Sequence, residues 1–269
     1  MAKWFNLSSL VFQQLAAIVM LGSAMASSSQ AAVTYKLDDI GGDTVPEDLY
    51  PLGLVPIDAY KGNIVGDLMW MNSYQVEEGG DLLKSISLTW GAPGLWAGYT
   101  GLSDWQTRPY PISLFLYSDP NNDGRPDDAQ ILAQAETTIT NPDSLTFTTV
   151  DIKPTQLEVG RHFFVGALFR NHLRGQLPAT VDSFNSVDNR SWYVIANHGD
   201  DQPSNFDAVN LNNNFRKPTP LEPGAGNWVL RVNGVATQPP RKVPESGAGL
   251  ALLGVGAWLL GRTVSHRAR

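Results

Sequence analysis

Cysteine is missing from all 269 residues. That excludes disulfides, metal thiolates and cysteine nucleophiles at once. It does not argue against export, because a chain this long buries enough core without staples. Positive charge is scarce: 19 Lys and Arg stand against 26 Asp and Glu, a net of −7. Between Ser27 and Lys242 the imbalance grows to 15 against 25, or −10. Such a surface is repelled by phosphate backbones, so nucleic acid is not an expected partner. Histidine is rare as well. Only His162, His172 and His198 precede the closing tail. No Gly-x-Ser-x-Gly elbow and no His-Glu-x-x-His pair is present. Gly91-Ala92-Pro93-Gly94 lacks the Lys-Ser/Thr of a phosphate loop. The adjacent carboxylates Asp38/Asp39, Glu77/Glu78, Asp127/Asp128 and Asp200/Asp201 sit in turn-like contexts and read as solvated loop charges. A converging carboxylate pair of a glycosidase stays open, but the expectation is a protein that is not an enzyme.

A sustained 3.6-residue period is also lacking between the two ends of the chain. What is there instead is a series of short β-prone runs: Val33–Leu37, Ile64–Val76, Leu83–Trp90, Ile112–Ser118, Ile131–Thr140, Leu145–Ile152, His162–Arg170, Trp192–Asn197 and Trp228–Asn233. Turn residues separate them, as in Glu78-Gly79-Gly80-Asp81 and Asn141-Pro142-Asp143. Strands at roughly ten-residue spacing predict an all-β fold, an antiparallel β-sandwich of jelly-roll type. One domain spans residues 33–233. Residues 234–243, with two prolines and two cations, read as an extended spacer. The Asn-, Asp- and Pro-rich stretch from Gly199 to Gly226 reads as a long loop that carries a short helix or covers one end of the sandwich.

The two ends differ from this body. Lys3, the apolar stretch Leu10–Met25 and Ala24-Met25-Ala26 read as a secretory signal peptide over residues 1–26, with a retained membrane anchor as the alternative. At the other end, Gly247–Gly261 is apolar and uncharged for 15 residues, short of the about 20 that span a bilayer comfortably. Val243–Ser246 lengthen it, and Arg262, Arg267 and Arg269 follow. The positive-inside rule keeps that basic end cytoplasmic. The domain between the two apolar segments is then expected beyond the inner membrane. An ordinary C-terminal anchor is one reading of residues 244–269. The order Val243-Pro244-Glu245-Ser246, apolar span and basic end also closely resembles the PEP-CTERM sorting domain of Gram-negative bacteria, with Ser246 where a second proline is usual. That resemblance implies a transmembrane sorting helix, recognition and cutting by an exosortase, and delivery to the cell surface or extracellular matrix. The body, through "HFFVGALF", "RSWYV" and "GNWVLRVNG", resembles secreted bacterial β-sandwich domains that are uncharacterised.

Two internal stretches are candidate sites. Trp90, Trp96, Tyr99 and Trp105 lie in "WGAPGLWAGYTGLSDWQ". Exposed rings there would make a platform for sugars, and buried rings would plug the sandwich. "DPNNDGRPDDAQ" places Asp119, Asn121 and Asp123 at positions 1, 3 and 5 of a calcium loop. Gly124 takes the turn, the Arg125 carbonyl serves at 7, and Asp127 at 9. Gln130 replaces the bidentate glutamate at position 12, with Asp128 as a substitute carboxylate. The competing reading is a polar hairpin turn, since the same residues dominate turns. The functional expectation is an exported, non-catalytic protein of the cell envelope or exopolysaccharide matrix. Its alternative is a carbohydrate-binding module.

Overall fold

The computed structural model describes residues 32–40, 64–91, 107–142, 146–173, 178–183, 186–197 and 206–237. All of them belong to one compact unit, Ser29–Thr237. Twelve strands follow one another: β1 (Ala32–Tyr35), β2 (Ile64–Gln75), β3 (Leu82–Leu88), β4 (Tyr110–Ser118), β5 (Gln130–Ile139), β6 (Thr148–Gln156), β7 (His162–Leu173), β8 (Val181–Asp182), β9 (Ser191–Asn197), β10 (Arg216–Pro220), β11 (Asn227–Trp228) and β12 (Leu230–Val235). Single 3-10 turns at Pro126–Asp128 and Leu211–Asn213 are the helical pieces among the described residues. One sheet has the order β1-β12-β3-β6 and the other β10-β9-β2-β7-β4-β5, with β11-β8 as a small third ladder. Every strand pairing among the described residues is antiparallel. The expected all-β, antiparallel, sandwich-like class is therefore what the chain forms.

Alternation along β2 shows how the sequence builds the layers. Leu68, Trp70 and Tyr74 turn inward. There they meet Ile86 and Leu88 of β3, Trp228, Leu230 and Val232 near the end of the chain, and Phe163, Val165 and Ala167 of β7. Each such side chain, taken fully out of water, contributes about 1.5–3 kcal/mol. Met69 and Met71 turn the other way. They are equally buried, in a second cluster with Phe115, Tyr117, Phe164, Trp192 and Val194. Phe206 and Leu211 close over that cluster. The larger sheet is thus covered on both faces, so the segments lying on its outer face are held by real packing.

Several boundaries differ from expectation. β1 ends at Tyr35, and β6 starts only at Thr148 but runs on to Gln156. β8 lies where no strand was expected, and β10 lies inside the expected long loop. β12 includes Gly234 and Val235, so the expected spacer at 234–243 begins inside a strand. Thr237 is still tied down, its N–H donating to Asp81 Oδ1 at 3.1 Å and its hydroxyl bonding Oδ2. The expected signal peptide, the rest of the expected spacer and the expected sorting tail lie outside the described residues.

Candidate functional site

The connection from β4 to β5 is the acidic loop singled out in the sequence. Its fold follows from alternating Asx residues, each of which captures a backbone N–H a few positions on. Asp119 Oδ1 accepts from Asn122 N at 2.9 Å, and Oδ2 accepts from Gly124 N at 2.7 Å. Asn121 Oδ1 accepts from Asp123 N at 3.0 Å, and Asp123 Oδ1 from Arg125 N at 2.8 Å. Gly124 has φ of 77°, which a residue without a side chain adopts freely. Asp119 is 1% exposed, so its carboxylate is the buried pivot of the turn.

The loop is docked on the sheet. His162 N donates to Asn122 Oδ1 at 2.7 Å. Arg161 Nη2 donates to the carbonyls of Asp119 and Pro120 at 3.1 and 3.0 Å. A Cβ built on Gly124 would lie 3.6 Å from His162 Nδ1 and 3.9 Å from Ser73 Oγ. Those two side-chain atoms are buried beneath the loop. Ser73 itself is fully buried, so its hydroxyl lies beneath the loop and not at the surface.

The carboxylates at the far end of the loop divide. Asp127 lies against Arg125 at 3.5 Å, with both side chains well exposed, a pair of small energetic weight. Asp128 turns inward instead. Its Oδ2 accepts from Asn121 N at 3.2 Å, and its Oδ1 is buried without a hydrogen-bond partner. Burial raises its pKa first, and the charge of Asp119 adds to the rise. The loop therefore gathers Asp119, Asn121, Asp123 and Asp128 within one turn, but loop N–H groups occupy several of their oxygens. Among the described residues no three His, Asp or Glu side chains are grouped as a metal centre.

A second Asx-rich segment, residues 206–215, packs beside this loop. Asp207 Oδ1 accepts from Val209 N and Asn210 N at 3.0 and 2.8 Å. Those amides, with Asn213, hold its carboxyl below the usual carboxylate range. Asn214 bonds Asp207 N and the carbonyls of Asp207 and Leu211. Asn212 Nδ2 reaches Asp127 O at 2.7 Å, which links the two segments. The sequence predicts here a long loop that carries a short helix or covers one end of the sandwich, and the 3-10 turn at Leu211–Asn213 is such a helix. The usable signal was the recurrence of Asp and Asn in "DAVNLNNN", each able to cap its own turn.

The aromatic candidates do not form a platform where their positions are described. Trp90 is 2% exposed. It stacks on Tyr110 at a centroid distance of 5.5 Å and meets Phe169 and Trp70 edge-on. That is the arrangement of a core plug, with no ring face left for a sugar. Trp96, Tyr99 and Trp105 lie outside the described residues, as do Val243, Pro244, Glu245 and Ser246.

Fold and loops together define an antiparallel β-sandwich with Asx-locked connections. No protein-family model matches the chain, and no curated protein matches it. Among solved structures, a clostridial cysteine protease, Cwp84 after propeptide cleavage, aligns with a TM-score of 0.38 and 10% identity. The alignment covers 77% of this chain and 40% of that one. A likeness at that level carries no argument about what this chain does.

Proposed function

We propose that this chain is an exported, non-catalytic, jelly-roll-like protein of the cell envelope or exopolysaccharide matrix, sorted by an exosortase through its PEP-CTERM-like tail. The observation that carries the reading is the pair of terminal signals, residues 1–26 and 244–269, around a single acidic body. The fold supports it. β1 and β12 are neighbours, with Ala32 opposite Val235, so the two described ends of the body lie side by side, as a body flanked by two terminal signals allows.

Calcium belongs to the same proposal as a structural ligand of the Asp119–Asp128 loop, with Asp119, Asn121, Asp123, the Arg125 carbonyl, Asp127 and Asp128 supplying oxygens. The partnerless Oδ1 of Asp128, beside like charge from Asp119 and Asp123, is the feature that favours it. Its role would be to relieve repulsion and pin the turn.

Intact-mass measurement tests the sorting. In a host that carries an exosortase, exported material should lack the peptides from Leu250 to Leu260. Their persistence in mature protein would replace sorting by a plain membrane anchor.

A further inference from the structure

Among the described residues every Trp and every Phe but one is buried or half-buried. The exception is Phe215, 57% exposed. Val209, in the same Asx-locked segment, is 76% exposed. Water should drive an apolar ring inward wherever the backbone lets it move. Here the backbone is fixed on both sides. Asn214, directly before Phe215, is held by three side-chain bonds to Asp207 and Leu211. Directly after it, β10 pairs with β9 and carries Pro218 and Pro220 at the edge of the larger sheet. The ring is therefore presented to solvent in a rigid frame, which lowers the entropy that binding must overcome.

Size and charge select the occupant. A stable protein interface buries about 800 Å² on each partner. One phenyl ring and one valine fall far short, which argues against a protein partner or a second copy. A ring of that size matches one face of a pyranose, whose axial C–H groups meet the negative π face. The chain's net charge of −7 opposes a polyanion. Polar residues suited to sugar hydroxyls flank Phe215 along the chain. Asn213 and Lys217 are both exposed, each two positions from Phe215. Asn213 donates one bond to Asp207, which leaves the rest of its amide for other partners. We infer that the Phe215 ridge is a docking point for an uncharged polysaccharide, with Phe215 stacking on a sugar ring and Asn213 and Lys217 bonding its hydroxyls. This rests on the reading that the chain works among exopolysaccharides.

The test is co-sedimentation of the full chain with insoluble cellulose, chitin and curdlan, with soluble alginate as the polyanionic comparison. Wild type should be retained on at least one of the uncharged polymers. Phe215→Ala should lower that retention about tenfold, the scale of one lost ring contact. Phe215→Trp should keep it, and Lys217→Gln should weaken it. Melting should be unchanged in all three variants, because these side chains face solvent. Retention on none of the uncharged polymers, retention that survives Phe215→Ala, or binding to alginate alone would each overturn the inference. Cell fractionation runs in parallel and separates the two failures. A chain that reaches the matrix yet ignores these polymers refutes the docking point alone.

Discussion

Asp128 shows how one carboxylate sets a pH dependence. Its folded pKa is raised by burial and by Asp119. A raised carboxylate favours the fold while protonated, below its unfolded pKa, and loses that contribution as pH climbs through the folded value. At neutral pH the ionised group is therefore a liability that one amide bond from Asn121 only partly offsets. Asp128→Asn keeps an oxygen for Asn121 N and removes the charge. The variant should melt at or above the wild-type temperature at pH 7, and the gap should close below about pH 4, where both side chains are neutral. A clear loss at pH 7 would show that the charge itself is needed there, as it would be with a resident cation. Arg231 makes the opposite case. Its guanidinium grips Asp38, caps the carbonyl of Ile40 and lies 4.0 Å over the Phe147 ring. Nothing in the sequence around Arg231 announces a partner 193 residues away, since a buried ion pair leaves no local pattern.

Elements were legible in proportion to their periodicity. β2, β4, β5, β7 and β9 fall where apolar runs predicted them, because those strands are long and pack on at least one face. β10 was hidden because "RKPTP" carries two prolines and reads as a breaker, and an edge strand tolerates what a central one does not. β8 has two residues and no period to detect. Trp90 was ambiguous for a different reason, since composition cannot say whether a ring in a strand-flanking segment is covered. The acidic loop was legible as a turn between strands, while its inward Asp128 depends on packing that spacing does not encode. Whether the loop also takes calcium is decided at the scale of this element. With an affinity near 10⁻³ M, about 10 mM calcium should stabilise the fold by roughly 1.4 kcal/mol. Melting temperature should rise accordingly, with less effect from magnesium and none in Asp123→Ala. Equal melting in calcium and in chelator would leave a hairpin turn and nothing more.

The molecule as a whole is assembled from distant pairings. β1 pairs with β12, β12 with β3, and β2 with both β7 and β9. Such topologies close long loops before gaining contacts, which places folding at about milliseconds to seconds. It also makes the end of the chain indispensable. β12 is an inner strand between β1 and β3, so its loss would divide the smaller sheet. Asn72 Nδ2 donates to the carbonyls of Trp228 and Leu230, and Trp228 Nε1 donates to Trp192 O. Without that segment the fully buried Asn72 loses these acceptors, at about 1–3 kcal/mol for each buried group left unmet, and Asp38 loses its cation. Trp228 itself, 0% exposed, carries about 3–5 kcal/mol of packing. With the lost strand pairing added, these are comparable to the whole net stability of about 5–15 kcal/mol that a domain possesses. Residues 27–237 expressed alone should therefore show a β-type circular dichroism spectrum and one cooperative melt. Residues 27–223 should show neither. A cooperative transition in the shorter chain would mean that β12 is dispensable for folding and that the rest of the sandwich carries its own stability.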